Sequence, residues 1–142
     1  NPSCRKHRRI RKGDTMIGYA LILFLACKNP NNDDFDSTPS SPLNMSVQTF
    51  YPLSKEATII DVRTAKEFEN GHVPNARHVP LDKLSSQISS LSNDPEQAIY
   101  FICESGIRSA KAAQLAHRHG YTKAINIKDG THGWRSAGFP LE

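Results

Sequence analysis

The feature that most constrains the fold is an almost wholly apolar run at residues 98–103, Ala-Ile-Tyr-Phe-Ile-Cys. A short run of β-branched and aromatic side chains is typical of a strand that is buried on both faces at the centre of a parallel sheet. The next apolar residues, within 109–120, recur at helical spacing, and the pattern stops at Gly120 after a basic stretch. A buried strand followed by a helix predicts a protein of the α/β class.

The same alternation extends over residues 46–142. Residues 57–62 predict a strand, and residues 64–70 predict a helix because Thr64 and Glu67 have capping-box spacing. Whether residues 47–53 form an edge strand or a helix stays open. The other predicted elements are extended segments at 76–80 and 123–127, a helix over 81–91 and a short terminal helix over 131–137. This order predicts a three-layer α/β sandwich with a small, largely parallel sheet flanked by helices.

The N-terminal residues predict a processing signal. Residues 1–26 contain six of the 18 Lys and Arg residues and one acid, a net charge of +5. The apolar run at 16–27 is shorter than the roughly 20 residues that span a bilayer, but it fits the apolar core of an export signal. We therefore predict an export signal over residues 1–27; a short anchor helix, or a basic segment that contacts anionic lipid head groups, is the alternative.

The end of this segment, Phe24-Leu-Ala-Cys27, resembles the lipobox of bacterial lipoproteins, which makes Cys27 a candidate lipidation site. Residues 28–45 are rich in Pro, Ser, Asn and Asp and nearly devoid of apolar side chains, so they predict a flexible polar linker. The predicted organisation is thus a signal at 1–27, a linker at 28–45 and a folded domain at 46–142. It implies an exported protein, periplasmic or anchored in the membrane as a lipoprotein facing the periplasm.

Charge and cysteine counts narrow the function. From Cys27 onward the chain has 12 bases and 13 acids, so the domain lacks the basic surface expected of a nucleic-acid-binding protein. Cys4 and Cys27 lie in the predicted signal, which leaves Cys103 as the one thiol of the domain, with no partner there for a disulfide. An isolated thiol in an exported domain suggests a chemical role.

Cys103 follows the most buried predicted strand, and ligand sites of open α/β sheets lie beyond the carboxyl ends of their strands. We place six residues, 103–108, between this strand and the next helix. Gly106 allows a turn with a positive φ in which successive N–H groups form an anion nest; the helix N-terminus and Arg108 add positive charge. These features should lower the pKa of the Cys103 thiol and make it a nucleophile. The alternative is that Cys103 is only a small apolar residue at a strand end.

Three motifs carry a family resemblance. The first comprises Ile60-Asp-Val-Arg63, Glu67-Phe68 and Gly71-His-Val-Pro-Asn-Ala76; the second is the loop Cys103-Glu-Ser-Gly-Ile-Arg-Ser109; the third comprises Asp129-Gly130, Trp134 and Gly138-Phe-Pro140. Through them residues 46–142 resemble the rhodanese (sulfurtransferase) domain family, most of all its small single-domain exported members of the phage-shock type. Asp129 stands where the family often has the first glycine of a pair.

The resemblance implies that Cys103 takes a sulfane sulfur from a small anionic donor, thiosulfate or a persulfide, and passes it to cyanide or another thiophilic acceptor. It implies no cofactor, and we expect a monomer. We expect no metal either, because the histidines have no second ligand at metal spacing. The residues that would bind the substrate are those of the loop: Glu104, Ser105, Gly106, Ile107, Arg108 and Ser109. One alternative is a sulfur-carrier or binding module of the same family without turnover. Another is a phosphatase or arsenate reductase of the same fold, which the Cys-x4-Arg spacing disfavours because those enzymes use Cys-x5-Arg.

Residues around the loop have predicted supporting roles. We expect Arg63 and Glu67 to form an ion pair, Asp61 to order the end of its strand, and Trp134 to pack as a wall of the pocket. Glu104, an acid beside the nucleophile, would repel dianionic thiosulfate and raise the pKa of the thiol if its side chain points into the pocket. A persulfide or polysulfide would then be the preferred donor.

Overall fold

The structure, a computed structural model, describes residues 42–142. Its sheet has five parallel strands in the order β1-β5-β4-β2-β3, which confirms the predicted α/β architecture. The strands are β1 (Leu43–Met45), β2 (Thr58–Asp61), β3 (Arg77–His78), β4 (Ile99–Ile102) and β5 (Ala124–Ile127). The helices are α1 (Val47–Phe50), α2 (Ala65–Glu69), α3 (Leu81–Gln87), α4 (Ile107–Arg118) and α5 (Gly130–Ser136), with 3₁₀ turns at Tyr51–Leu53 and Ile88–Ser90.

Apolar side chains cover both faces of the sheet because successive residues of a strand point to opposite sides. Phe101 of β4 packs on one side with residues of α3 and α4. Its neighbour Ile102 packs on the other side with residues of α1 and α5, among them Phe50 and Trp134. The central strand β4 is therefore enclosed between two helical layers, as its sequence predicts.

Local chemistry explains why α2 begins where it does. The Thr64 hydroxyl accepts a hydrogen bond from the Glu67 amide, and the Glu67 carboxylate accepts one from the Thr64 amide. This reciprocal capping box satisfies two N–H groups that have no partner within the helix. It confirms the predicted start of the helix.

One boundary differs from the predictions, and the structure defines one segment that the sequence left open. Residues 43–45, assigned to the linker, form β1, an edge strand that pairs with β5. Asn44 accepts a hydrogen bond at 2.8 Å from the Asn126 side chain opposite it, a pairing that polar composition does not reveal. Residues 47–53, left open, form α1 and a 3₁₀ turn.

The predicted export signal, the lipidation site Cys27 and residues 28–41 of the predicted linker lie outside the described residues. Within 42–142 no helix has both the length and the apolar character needed to cross a membrane.

Candidate active site

The loop between β4 and α4 is shorter than predicted. It consists of Cys103 to Gly106, and α4 begins at Ile107, so Arg108 belongs to the first helical turn. Gly106 immediately precedes the helix with φ of +86°, and a Cβ there would lie 2.0 Å from the Lys128 carbonyl oxygen. Only glycine fits this position. Because the chain turns at Gly106, α4 begins at Ile107, two residues before the apolar pattern that starts at residue 109.

The sulfur of Cys103 is held by hydrogen-bond donors. The Gly106 amide donates to Sγ at 3.1 Å, and the Ser109 hydroxyl donates to it at 3.3 Å. Burial raises the pKa of the thiol, but hydrogen bonds from Ser109 and from the Ser105 and Gly106 amides outweigh it, so the pKa lies below its ordinary value. The Gly106 amide and the Ser109 hydroxyl therefore converge on Sγ, as expected of an anion nest, with Ser109 as the side-chain donor. That Cys103 acts as a nucleophile stays a prediction.

Arg108 is engaged by a carboxylate of another element. Its two terminal nitrogens donate to the two carboxylate oxygens of Glu67, at 2.9 and 2.6 Å. This arrangement holds the pKa of Glu67 well below its usual range and raises that of Arg108. The predicted ion pair between Arg63 and Glu67 is therefore wrong, because Glu67 turns toward the first turn of α4.

Arg63 instead pairs with its near neighbour. Its side chain, almost fully buried, donates to Asp61 at 2.7 Å and to the Gly71 carbonyl oxygen at 2.9 Å. Asp61 also accepts a hydrogen bond from the Arg63 amide, so it orders the end of β2 as predicted. A buried arginine that is both ion-paired and hydrogen-bonded fixes the segment that follows β2.

Glu104 directs its carboxylate at α5. It accepts a hydrogen bond from the Thr131 hydroxyl at 2.6 Å, forms an ion pair with Arg135, and lies 3.6 Å from a terminal nitrogen of Arg63. Burial raises the pKa of Glu104, but Thr131, Arg135 and Arg63 outweigh it and the pKa is lowered. The carboxylate beside the nucleophile thus has cationic partners on α5 and after β2.

Helix α5 closes on the backbone of the loop. The Thr131 amide donates to the Cys103 carbonyl oxygen at 2.7 Å, and the His132 amide donates to that of Glu104 at 3.0 Å. A Cβ on Gly130, whose φ is +60°, would lie 2.3 Å from the Glu104 carbonyl oxygen. This close approach accounts for the glycine. Thr131 and Arg135, which follow Gly130 in the same helix, were not predicted as site residues.

Asp129 and Trp134 anchor α5 from its other side. The Asp129 carboxylate accepts a hydrogen bond at 3.1 Å from the Val47 amide at the start of α1, a contact that glycine could not make. Trp134 is buried in the core, and its indole N–H donates to the Pro140 carbonyl oxygen at 2.7 Å. Its predicted place as a wall of the pocket stays a prediction. Asp129 and Trp134 thus fix the position of α5, which in turn binds the backbone of the loop.

A mainly apolar groove of about 610 Å³ adjoins Arg108 at the carboxyl end of the sheet. Its walls include Val62, Ala65, Pro80 and Leu81. Ile107, in the loop motif, is also largely exposed. Among residues 42–142, no group of three or more His, Cys, Asp or Glu side chains is placed to hold a metal ion.

Comparisons with known proteins agree with this geometry. Residues 46–137 match the Rhodanese-like domain family. The chain is 38% identical over 76 residues to the putative sulfur carrier protein YrkF of Bacillus subtilis, and 28% identical over 88 residues to a sulfurtransferase of Allochromatium vinosum. These matches cover 54% and 62% of this chain. The crystal structure of a rhodanese-like domain protein from Staphylococcus aureus is similar with a TM-score of 0.59 and 29% identity, over 65% of this chain and 90% of that one.

The relatives differ in length. The chain spans 80% of the Allochromatium vinosum protein, but only 40% of YrkF and 62% of a second Bacillus subtilis relative. The shared part is in each case the size of one domain.

Proposed function

Because the chain belongs to the rhodanese-like domain family, we propose that it transfers sulfane sulfur through a persulfide on Cys103. The observation that carries this proposal is the position of Sγ, at the carboxyl end of the central strand and within reach of the Gly106 amide and the Ser109 hydroxyl. The same donors that lower the pKa of the thiol would stabilise the negative charge of a bound persulfide.

The proposed reaction has two steps. The Cys103 thiolate attacks the outer sulfur of the donor, the S–S bond of the donor breaks, and its electron pair leaves with the departing thiolate or sulfite. The outer sulfur of the Cys103 persulfide is then attacked by cyanide or by an acceptor thiolate, which carries the sulfur away and restores the Cys103 thiolate. No net oxidant or reductant is consumed, so a single cysteine nucleophile is sufficient for both steps.

Thiocyanate formation from a sulfane-sulfur donor and cyanide, beside Cys103→Ala, tests the proposal. Intact mass after exposure to donor alone measures the gain of one sulfur. We expect turnover and a sulfur adduct, both of which disappear in Cys103→Ala. Absence of the adduct with every donor would refute persulfide chemistry, and hydrolysis of an aryl phosphate in its place would favour the phosphatase reading.

A sulfur carrier is the second candidate, and the likeness to a protein described as a putative sulfur carrier favours it. A carrier would form the Cys103 adduct at the same rate but release it only to a partner protein. An adduct without repeated thiocyanate turnover would distinguish a carrier from an enzyme.

We also propose, from the sequence of residues 1–27, that the protein is exported and lipidated at Cys27. The test is fractionation of cells that express the full chain or Cys27→Ala. Lipidation predicts that the wild type is found with the membrane and that the variant is not.

A further inference from the structure

Three arginines near the loop, Arg63, Arg108 and Arg135, are each paired with a carboxylate. Arg63 pairs with Asp61 and Arg108 pairs with Glu67, each through hydrogen bonds to the charged groups. Arg135 pairs with Glu104, which lies next to the nucleophile in the chain. Of these three pairs, the Glu104 pair is the one whose acid belongs to the loop itself.

The two carboxylates other than Glu104 have additional structural roles. Asp61 orders the end of β2, and Glu67 completes the capping box of α2. Glu104 lies in the loop, and within residues 42–142 its carboxylate contacts the Thr131 hydroxyl, Arg135 and Arg63, all of them side chains. The Glu104 carboxylate therefore neutralises positive charge of Arg135 and Arg63 beside the loop.

Charge neutralisation affects possible donors unequally. Thiosulfate carries two negative charges and needs uncompensated cations to offset its loss of hydration. An organic persulfide carries at most a single charge on its sulfur, and it has an organic group for which the mainly apolar groove beside Arg108 provides a surface. A site with paired arginines and an adjacent apolar groove favours the second class.

We propose that Glu104 is a specificity-determining residue: by occupying Arg135 and facing Arg63, it makes the site select organic persulfides over thiosulfate. This inference rests on the proposed function, since it concerns the donor of the same persulfide step. With a persulfide R–S–SH, the Cys103 thiolate forms a bond to the outer sulfur, the S–S bond of the persulfide breaks, and R–S⁻ leaves with the electron pair. The products are Cys103–S–SH and R–S⁻, and charge and atoms balance.

The test measures the rate constant for loading sulfur onto Cys103 in a single turnover, by rapid quenching and intact mass, with thiosulfate and with cysteine persulfide. Glu104→Gln removes the charge but keeps an oxygen that can accept the Thr131 hydrogen bond. Glu56→Gln, at an exposed position before β2, makes the same charge change away from the loop and is the matched control. The thiolate pKa of each variant is measured alongside.

We expect the wild type to load faster from cysteine persulfide than from thiosulfate. Glu104→Gln should raise the thiosulfate rate constant about tenfold and change the persulfide rate constant less than twofold. The gain should shrink at high ionic strength, because the interaction is electrostatic. The control should leave both rate constants unchanged.

Arg135→Gln tests the mechanism of the gain. Alone, it leaves the Glu104 charge without its main cation and should lower the thiosulfate rate constant several-fold. Combined with Glu104→Gln, it should abolish most of the tenfold gain, because the released Arg135 would be the group that binds the dianion. A gain that survives in the double variant would overturn this part of the proposal.

The outcomes separate the two levels of the proposal. If both donors load sulfur and Glu104→Gln leaves their ratio unchanged, or raises both equally, Glu104 does not set specificity, while persulfide chemistry stands. If no donor gives a Cys103-dependent adduct, the proposed function fails and the specificity proposal fails with it.

Discussion

Replacement of Ser109 by alanine tests how the thiol is activated. The Ser109 hydroxyl donates to Cys103 Sγ at 3.3 Å and is fully buried. A hydrogen bond to a charged group is worth about 1.5 kcal/mol at the lower end of the usual range, which suits this long contact. Since about 1.4 kcal/mol corresponds to one pKa unit, Ser109→Ala should raise the pKa of Cys103 by about one unit.

The expected effect on rate changes sign with pH. Below both pKa values the variant has about tenfold less thiolate, but a more basic thiolate is intrinsically about threefold more nucleophilic. The variant should therefore react about threefold more slowly than the wild type at low pH and about threefold faster above both pKa values. The two pH profiles should cross about midway between the two pKa values.

Thiolate absorbance and the rate of exchange with a small neutral disulfide, each followed against pH, measure these quantities. Subtraction of the Cys103→Ala signal removes the contribution of Cys4 and Cys27. Ser86→Ala is the control, because its hydroxyl donates to a backbone carbonyl on the exposed side of α3. An unchanged pKa in Ser109→Ala, or a rate ratio that does not vary with pH, would refute the role assigned to this hydroxyl.

Two further predictions concern stability, measured by urea unfolding. Gly130→Ala should destabilise the protein by about 3 kcal/mol, because the new Cβ meets the loop backbone at 2.3 Å, whereas Gly138→Ala, at a similar φ but in open space, should lose only about 1 kcal/mol. Equal losses would show that the close approach is unimportant. Glu67→Gln should remove about 1 kcal/mol at neutral pH. Because folding lowers the pKa of Glu67, this difference should be complete above about pH 5 and diminish as the pH falls below the unfolded-state value near 4; a difference independent of pH would contradict the ion pair.

Local chemistry made several features predictable. The capping box of α2 needs only two residues three apart, and the buried strand β4 is evident from six consecutive apolar positions. The positive φ of Gly106 follows from the need for a sharp turn after a strand. Such features depend on neighbours in sequence, so one sequence is enough to find them.

The pairing of charges was not predictable in the same way. Glu67 is four residues from Arg63 in sequence but pairs with Arg108, 41 residues away. The choice depends on how α2 and the first turn of α4 approach each other, which only the packed sheet determines. For the same reason the contact between Asp129 and the Val47 amide, 82 residues apart, has no sequence signal beyond an acid at an unusual position.

The pKa of the thiol and the charge that an incoming donor meets depend on different residues of the site. The described hydrogen-bond donors to Sγ, the Gly106 amide and the Ser109 hydroxyl, are uncharged. The charge that an incoming donor meets depends on Glu104 and its partners on α5 and after β2. Ser109→Ala and Glu104→Gln should therefore act independently.

This independence is itself measurable. In the double variant Ser109→Ala/Glu104→Gln, the pKa of the thiol should match that of Ser109→Ala, and the preference between donors should match that of Glu104→Gln. Effects on independent groups add to within a few tenths of a kcal/mol, whereas coupled groups depart from additivity by more. Strong coupling would mean that the Glu104 carboxylate acts on the sulfur directly, and the thiol pKa and donor choice would then be one property after all.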